Sequence, residues 1–84
     1  MRCSYIYFMK DNPDHVATVA PEHAAYWRAL GLRGYLGGPF ADRSGGLISF
    51  ETDSPDDAAQ LVSDEPFVRE GLVECSWVKG WEVE

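Results

Sequence analysis

The chain predicts an α+β domain in which helices cover one face of an antiparallel sheet. Three observations carry that expectation: residues 2–9 are aromatic and β-branched, residues 16–30 repeat apolar side chains at helical spacing, and residues 72–83 alternate again. The 84 residues admit one domain, residues 1–84. A domain of that size buries only about 60% of its unfolded surface when it folds alone, so something is expected to supplement its core.

The first strand has two apolar faces, Cys3, Tyr5, Tyr7 and Met9 on one and Ile6 and Phe8 on the other, which places it inside a sheet. Asp11-Asn12-Pro13-Asp14 stops it. A helix follows whose stripe is Val16, Val19, Ala20, His23, Tyr26, Trp27 and Leu30, with Pro21 expected near its start, where a missing N–H costs little, and Gly31 or Gly34 ending it. Residues 35–40 form a second strand, weakened by two glycines and closed by Pro39, and so suited to an edge. Arg43-Ser44-Gly45-Gly46 turns the chain into a third strand over residues 47–51.

Ser54-Pro55-Asp56-Asp57 opens a second helix: the serine caps free amides, proline fits the first position, and two carboxylates favour the positive helix end. Ala58, Leu61 and Val62 are its apolar stripe, and Asp64-Glu65-Pro66-Phe67 breaks it. In the last strand Val73, Cys75, Trp77, Trp81 and Val83 share one face. The order βαββαβ is the ferredoxin-like one, with both helices on one sheet face. The other face is too apolar for water and is expected to meet a second copy, making a dimeric α/β barrel.

Seven basic against fourteen acidic residues give a net charge of −7, which argues against nucleic acid and anionic membranes as partners. The acids around 53–57, at Asp64 and Glu65 and at the C-terminus read as a solvated helix end and a soluble surface. No apolar run approaches the roughly 20 residues of a membrane span, and no leader is evident, which points to a soluble protein of the reducing cytoplasm. Cys3 and Cys75 accordingly read as small buried hydrophobes rather than as a disulfide.

The chemistry centres on His23, which the stripe turns inward. A buried imidazole must satisfy both nitrogens; a carboxylate on one would fix the tautomer and leave the other free. The Gly37-Gly38-Pro39-Phe40-Ala41-Asp42 segment offers Asp42 as that carboxylate, and the competing reading is a core histidine bonded to a carbonyl. Tyr26, Trp27, Tyr35 and Phe40 either line a cleft for a planar substrate or pack the core. Arg43 is either a solvated turn residue or a holder of an anionic substrate oxygen.

Other constellations carry less. His15 and His23 lack the carboxylates or thiols of a metal site, residues 34–38 lack the helix of a phosphate loop, and Ser44 and Ser49 sit in no nucleophile elbow. No metal or cofactor is expected.

Pro21-Glu22-His23, Tyr26-Trp27-Arg28-Ala29-Leu30, Gly38-Pro39-Phe40-Ala41-Asp42, the acidic helix 54–63, Asp64-Glu65-Pro66-Phe67-Val68 and Gly71 together resemble the YCII-related domain family, within the dimeric α/β-barrel proteins. The resemblance spans nearly the whole chain and departs at Asp64-Glu65-Pro66-Phe67, where an acidic residue is inserted into an Asp-Pro-aromatic motif. It implies a homodimer with His23 facing Asp42 in a pocket, and chemistry such as dehydrochlorination of a chlorinated hydroxyquinol. The expected function is a cofactor-independent lyase- or isomerase-type enzyme in which His23 moves a proton and Asp42 orients it. The alternatives are a dimeric ligand-binding or accessory protein of the same fold and, on fold analogy alone, an oxygen-using monooxygenase.

Overall fold

The two-sided apolar strand β1 (Arg2–Met9) takes the interior place its composition requires, in a computed structural model that describes residues 1–84. It pairs with β3 (Gly45–Glu51) on one side and β4 (Val73–Trp81) on the other, while β2 (Leu36–Pro39) forms the edge beyond β3. The order is β2-β3-β1-β4 with every pair antiparallel, the ferredoxin-like arrangement expected from the sequence.

Helix α1 (Pro13–Ala29) starts earlier than the sequence suggested. Asn12 caps it by accepting from the His15 amide at 3.4 Å, and Pro13 takes the first position. Pro21, expected there, instead lies inside the helix, so the carbonyl one turn before it has no helical donor. Such a proline costs about 3 kcal/mol. Buried Val19 and Trp27 on either side offset it, since full burial of one large side chain contributes about 1.5–3 kcal/mol.

Helix α2 (Pro55–Ser63) begins as its sequence announces, with the Ser54 hydroxyl accepting from the Asp57 amide at 3.2 Å. The break after it is followed by one further helical turn, α3 (Pro66–Arg69), too short to leave a periodic signal in sequence. No helix is long and apolar enough to cross a membrane.

Between sheet and helices lies one core of Cys3, Tyr5, Tyr7, Ile48 and Phe50 from the strands against Val19, Trp27, Ala58, Val62, Phe67 and Leu72. The opposite sheet face is uncovered. Register places Ile6 beside Trp77 and Leu47, Arg2 beside Trp81, and Leu36 beside Ser49, leaving Leu36 71% and Trp81 55% exposed. Both cysteines are free; Cys3 is buried as expected, but Cys75 pairs with Phe8 on this uncovered face and is exposed.

Candidate active site

The α1 stripe directs His23 toward β1 and α3, where both ring nitrogens find partners. Its Nδ1 lies 2.5 Å from Oε2 of Glu65, and its Nε2 lies 3.3 Å from the Tyr7 hydroxyl. Phe67 stacks on the imidazole with ring centres 4.1 Å apart and planes inclined by 20°.

Glu65 is wholly buried and anchored by three donors. The Val68 amide donates to Oε1 at 2.8 Å, which makes Glu65 the N-cap of α3, and the Trp27 indole donates to Oε2 at 3.0 Å. Amide and indole N–H groups only donate, so both carboxylate oxygens are acceptors here. With the ring proton assigned to Nδ1 on this pattern, Nε2 is the nitrogen that meets the Tyr7 hydroxyl. Burial, reinforced by the nearby Glu65 charge, pushes the Tyr7 phenol well above its ordinary range, so it remains a donor.

Tyr7 reaches this position across a glycine. A Cβ at Gly46 would lie 2.3 Å from the Tyr7 hydroxyl and 2.8 Å from the Gly38 carbonyl, so only a residue without one lets the ring lie flat on β3.

His23, Tyr7 and Phe67 open onto a cavity of about 830 Å³. Its other walls come from the helix residues Val16, Ala20 and Arg28, the turn after β1, and the hairpin from Gly37 to Gly45.

The residues singled out in sequence are distributed unequally. Tyr35 and Arg43 line the cavity with His23. Trp27 does not; it is buried behind the histidine and holds Glu65. Tyr26 donates to the Leu61 carbonyl at 2.7 Å and ties α1 to α2, and Phe40 packs on Phe8 with ring centres 5.7 Å apart.

Asp42 makes no hydrogen bond to His23. Its Oδ1 accepts from the Ser44 amide at 3.0 Å on an exposed turn, and the hydroxyl and amide of Ser44 hold its carboxyl below the ordinary range. The reason is local: a short carboxylate closes its own turn readily, and the imidazole already has Glu65 and Tyr7. The pairing expected between His23 and Asp42 is thus replaced by His23 and Glu65.

Sequence reasoning missed Glu65 by counting it with the surface acids. A usable signal was present, because Glu65-Pro66 repeats the cap-then-proline pattern of Ser54-Pro55 and so marks a helix start. Tyr7 was recognised only as a strand residue, and its place opposite the histidine had no sequence signal.

Sheet, helices and site together define a ferredoxin-like α+β protein with a histidine–carboxylate pair beside a cavity. The family model of the YCII-related domain matches residues 3–82, and the chain belongs to that family. Its structure is similar to 5-chloro-2-hydroxyhydroquinone dehydrochlorinase from Burkholderia phenoliruptrix AC1100, solved as a complex with 2,5-dihydroxybenzoquinone. The two superpose with a TM-score of 0.85 over 98% of this chain and 94% of that one, at 22% sequence identity, a likeness of fold. No curated protein matches the sequence.

Proposed function

We propose that the cavity is the active site of a cofactor-independent enzyme that moves a proton on a small planar phenol, enol or quinoid substrate. The observation that carries this reading is the 2.5 Å contact between His23 Nδ1 and a wholly buried Glu65, on a ring that lines the cavity together with Tyr7. Nε2, once substrate displaces the Tyr7 hydroxyl from it, accepts a proton from substrate, and Glu65 stabilises the imidazolium as it forms. In an isomerisation the proton returns at another atom. In an elimination the electron pair it leaves behind forms a double bond while the leaving group departs with its own pair, which is the type of reaction named for the structurally similar dehydrochlorinase.

Asp42 acts at one remove, fixing the turn that brings Arg43 to the cavity. Tyr35 and Arg43 contact substrate, whereas Tyr26 and Trp27 support the walls from behind and Phe40 packs on Phe8 at the uncovered sheet face. The working form is a homodimer closed through the uncovered sheet faces, because a face carrying Leu36, Leu47, Trp77 and Trp81 is too apolar to remain in water. Light scattering at micromolar concentration tests it; a particle of 9.4 kDa overturns it.

One observation favours a binding protein without chemistry: the Tyr7 hydroxyl already occupies Nε2, which closes the network. Substitution of His23 separates the two readings. For a general base, His23→Ala lowers turnover of a hydroxyquinol about 10²–10⁴-fold while the protein stays folded. Unchanged turnover removes His23 from the chemistry, and equal ligand binding without turnover in either protein favours the binding reading.

A further inference from the structure

The cavity reverses the charge balance of the chain. The protein holds twice as many acidic as basic residues, yet Lys10, Arg28 and Arg43 line this cavity against a single carboxylate, Asp11. The three cations come from separate segments: the turn after β1, the last turn of α1, and the β2–β3 hairpin. None of them forms an ion pair or a side-chain hydrogen bond within the chain, in contrast to Arg2, which is held by Ser49 and Glu51.

The hairpin gives a second indication. Arg43 has φ +65°, the chain's only non-glycine residue in the left-handed region, in a loop where glycine stands at several nearby positions. Such strain persists when surrounding structure imposes it and gathers at ligand clamps. The Asp42–Ser44 hydrogen bond spans the strained residue.

We propose that the cavity selects a planar anionic substrate whose ionised oxygens are held by Arg28 and Arg43, with Lys10 as a mobile third cation. Guanidinium groups match two oxygens in one plane, whereas an ammonium supplies an undirected charge. A hydroxyquinone fits this chemistry, because its hydroxyl is a vinylogous acid that ionises readily. The Asp42 carboxylate beside Arg43 is already bound to Ser44 and does not compete for the guanidinium.

The inference rests on the cavity being the substrate site, and the test keeps the two apart. Calorimetry compares 2,5-dihydroxybenzoquinone, an anion, with its neutral dimethyl ether, using wild type, His23→Gln and the double variant Arg28→Gln/Arg43→Gln. Wild type and His23→Gln should favour the anion by about tenfold or more, with the preference shrinking as salt rises from ~50 to ~500 mM. The double variant should lose the preference yet bind the ether and melt as wild type does. Equal binding of anion and ether, no binding of either, or a preference that survives in the double variant overturns the proposal. Charge-dependent binding without His23-dependent turnover leaves it standing and removes the catalytic reading; His23-dependent turnover with no charge preference does the reverse.

Discussion

Trp27 and Glu65 share a hydrogen bond at 3.0 Å in which both residues are all but inaccessible, at 1% and 0% exposure. The indole holds from behind the same oxygen that contacts His23, so the carboxylate cannot turn away from the imidazole. Removing it strands the indole, the Val68 amide and a histidine. Glu65→Ala should therefore lose about 3–5 kcal/mol in urea unfolding, a large share of the stability of a small domain. Glu65→Gln keeps the shape and one acceptor oxygen. It should remain folded yet lose roughly 10²-fold or more in kcat/KM, because an amide cannot stabilise the imidazolium.

Asp42→Asn distinguishes the two carboxylates. It should change turnover far less than Glu65→Gln, measured side by side on the same substrate. The acid limb has a definite sign: the Asp42 carboxyl is held low in the folded chain, so its support of the hairpin is present above the ordinary carboxylate range and fades as pH falls through the lowered value. Wild type and Asp42→Asn should converge in stability at low pH.

Gly46→Ala inserts a methyl where 2.3 Å separates it from the Tyr7 hydroxyl. The expected cost is about 1–3 kcal/mol, read from the denaturation midpoint. The ring should also move off Nε2, shifting the His23 imidazole resonances in NMR, while the same substitution at Gly38, which faces open space, should not.

Stability should fall at alkaline pH. Tyr5 and Tyr7 are both pushed up from 10.0 by burial, and the Glu65 charge adds to the shift. Above about pH 10 the unfolded chain releases these protons while the folded chain retains them, so each further unit of pH favours unfolding. Tyr7→Phe should flatten this decline, as followed by unfolding at stepped pH.

Legibility in the sequence followed the length of each signal. The aromatic β1 and the Ser54-Pro55 start of α2 rest on local chemistry and could be read directly. Pro21 misled because the N1 preference of proline is strong, yet Pro13 had already met it. Helix α3 has four residues, fewer than two turns, and leaves no period to detect. For the site, the helical stripe made His23 legible, but its carboxylate stands 42 positions away, and only packing selects Glu65 over the nearer Asp42. Sequence proximity favoured a residue that closes its own turn instead.

One wall of the cavity is made of small side chains, Ala17, Ala20 and Ala24, standing beside His23 on α1. None of them carries a polar side-chain atom, so none takes part in the hydrogen bonds of His23 and Glu65. Bulk added there would narrow the chamber from the helix side, in steps as fine as one methyl group, and leave those hydrogen bonds in place. The proposed chemistry and the fit of the chamber are in this way carried by different side chains: with His23 and Glu65 in place, the molecules accepted can change by exchange of a few alanines.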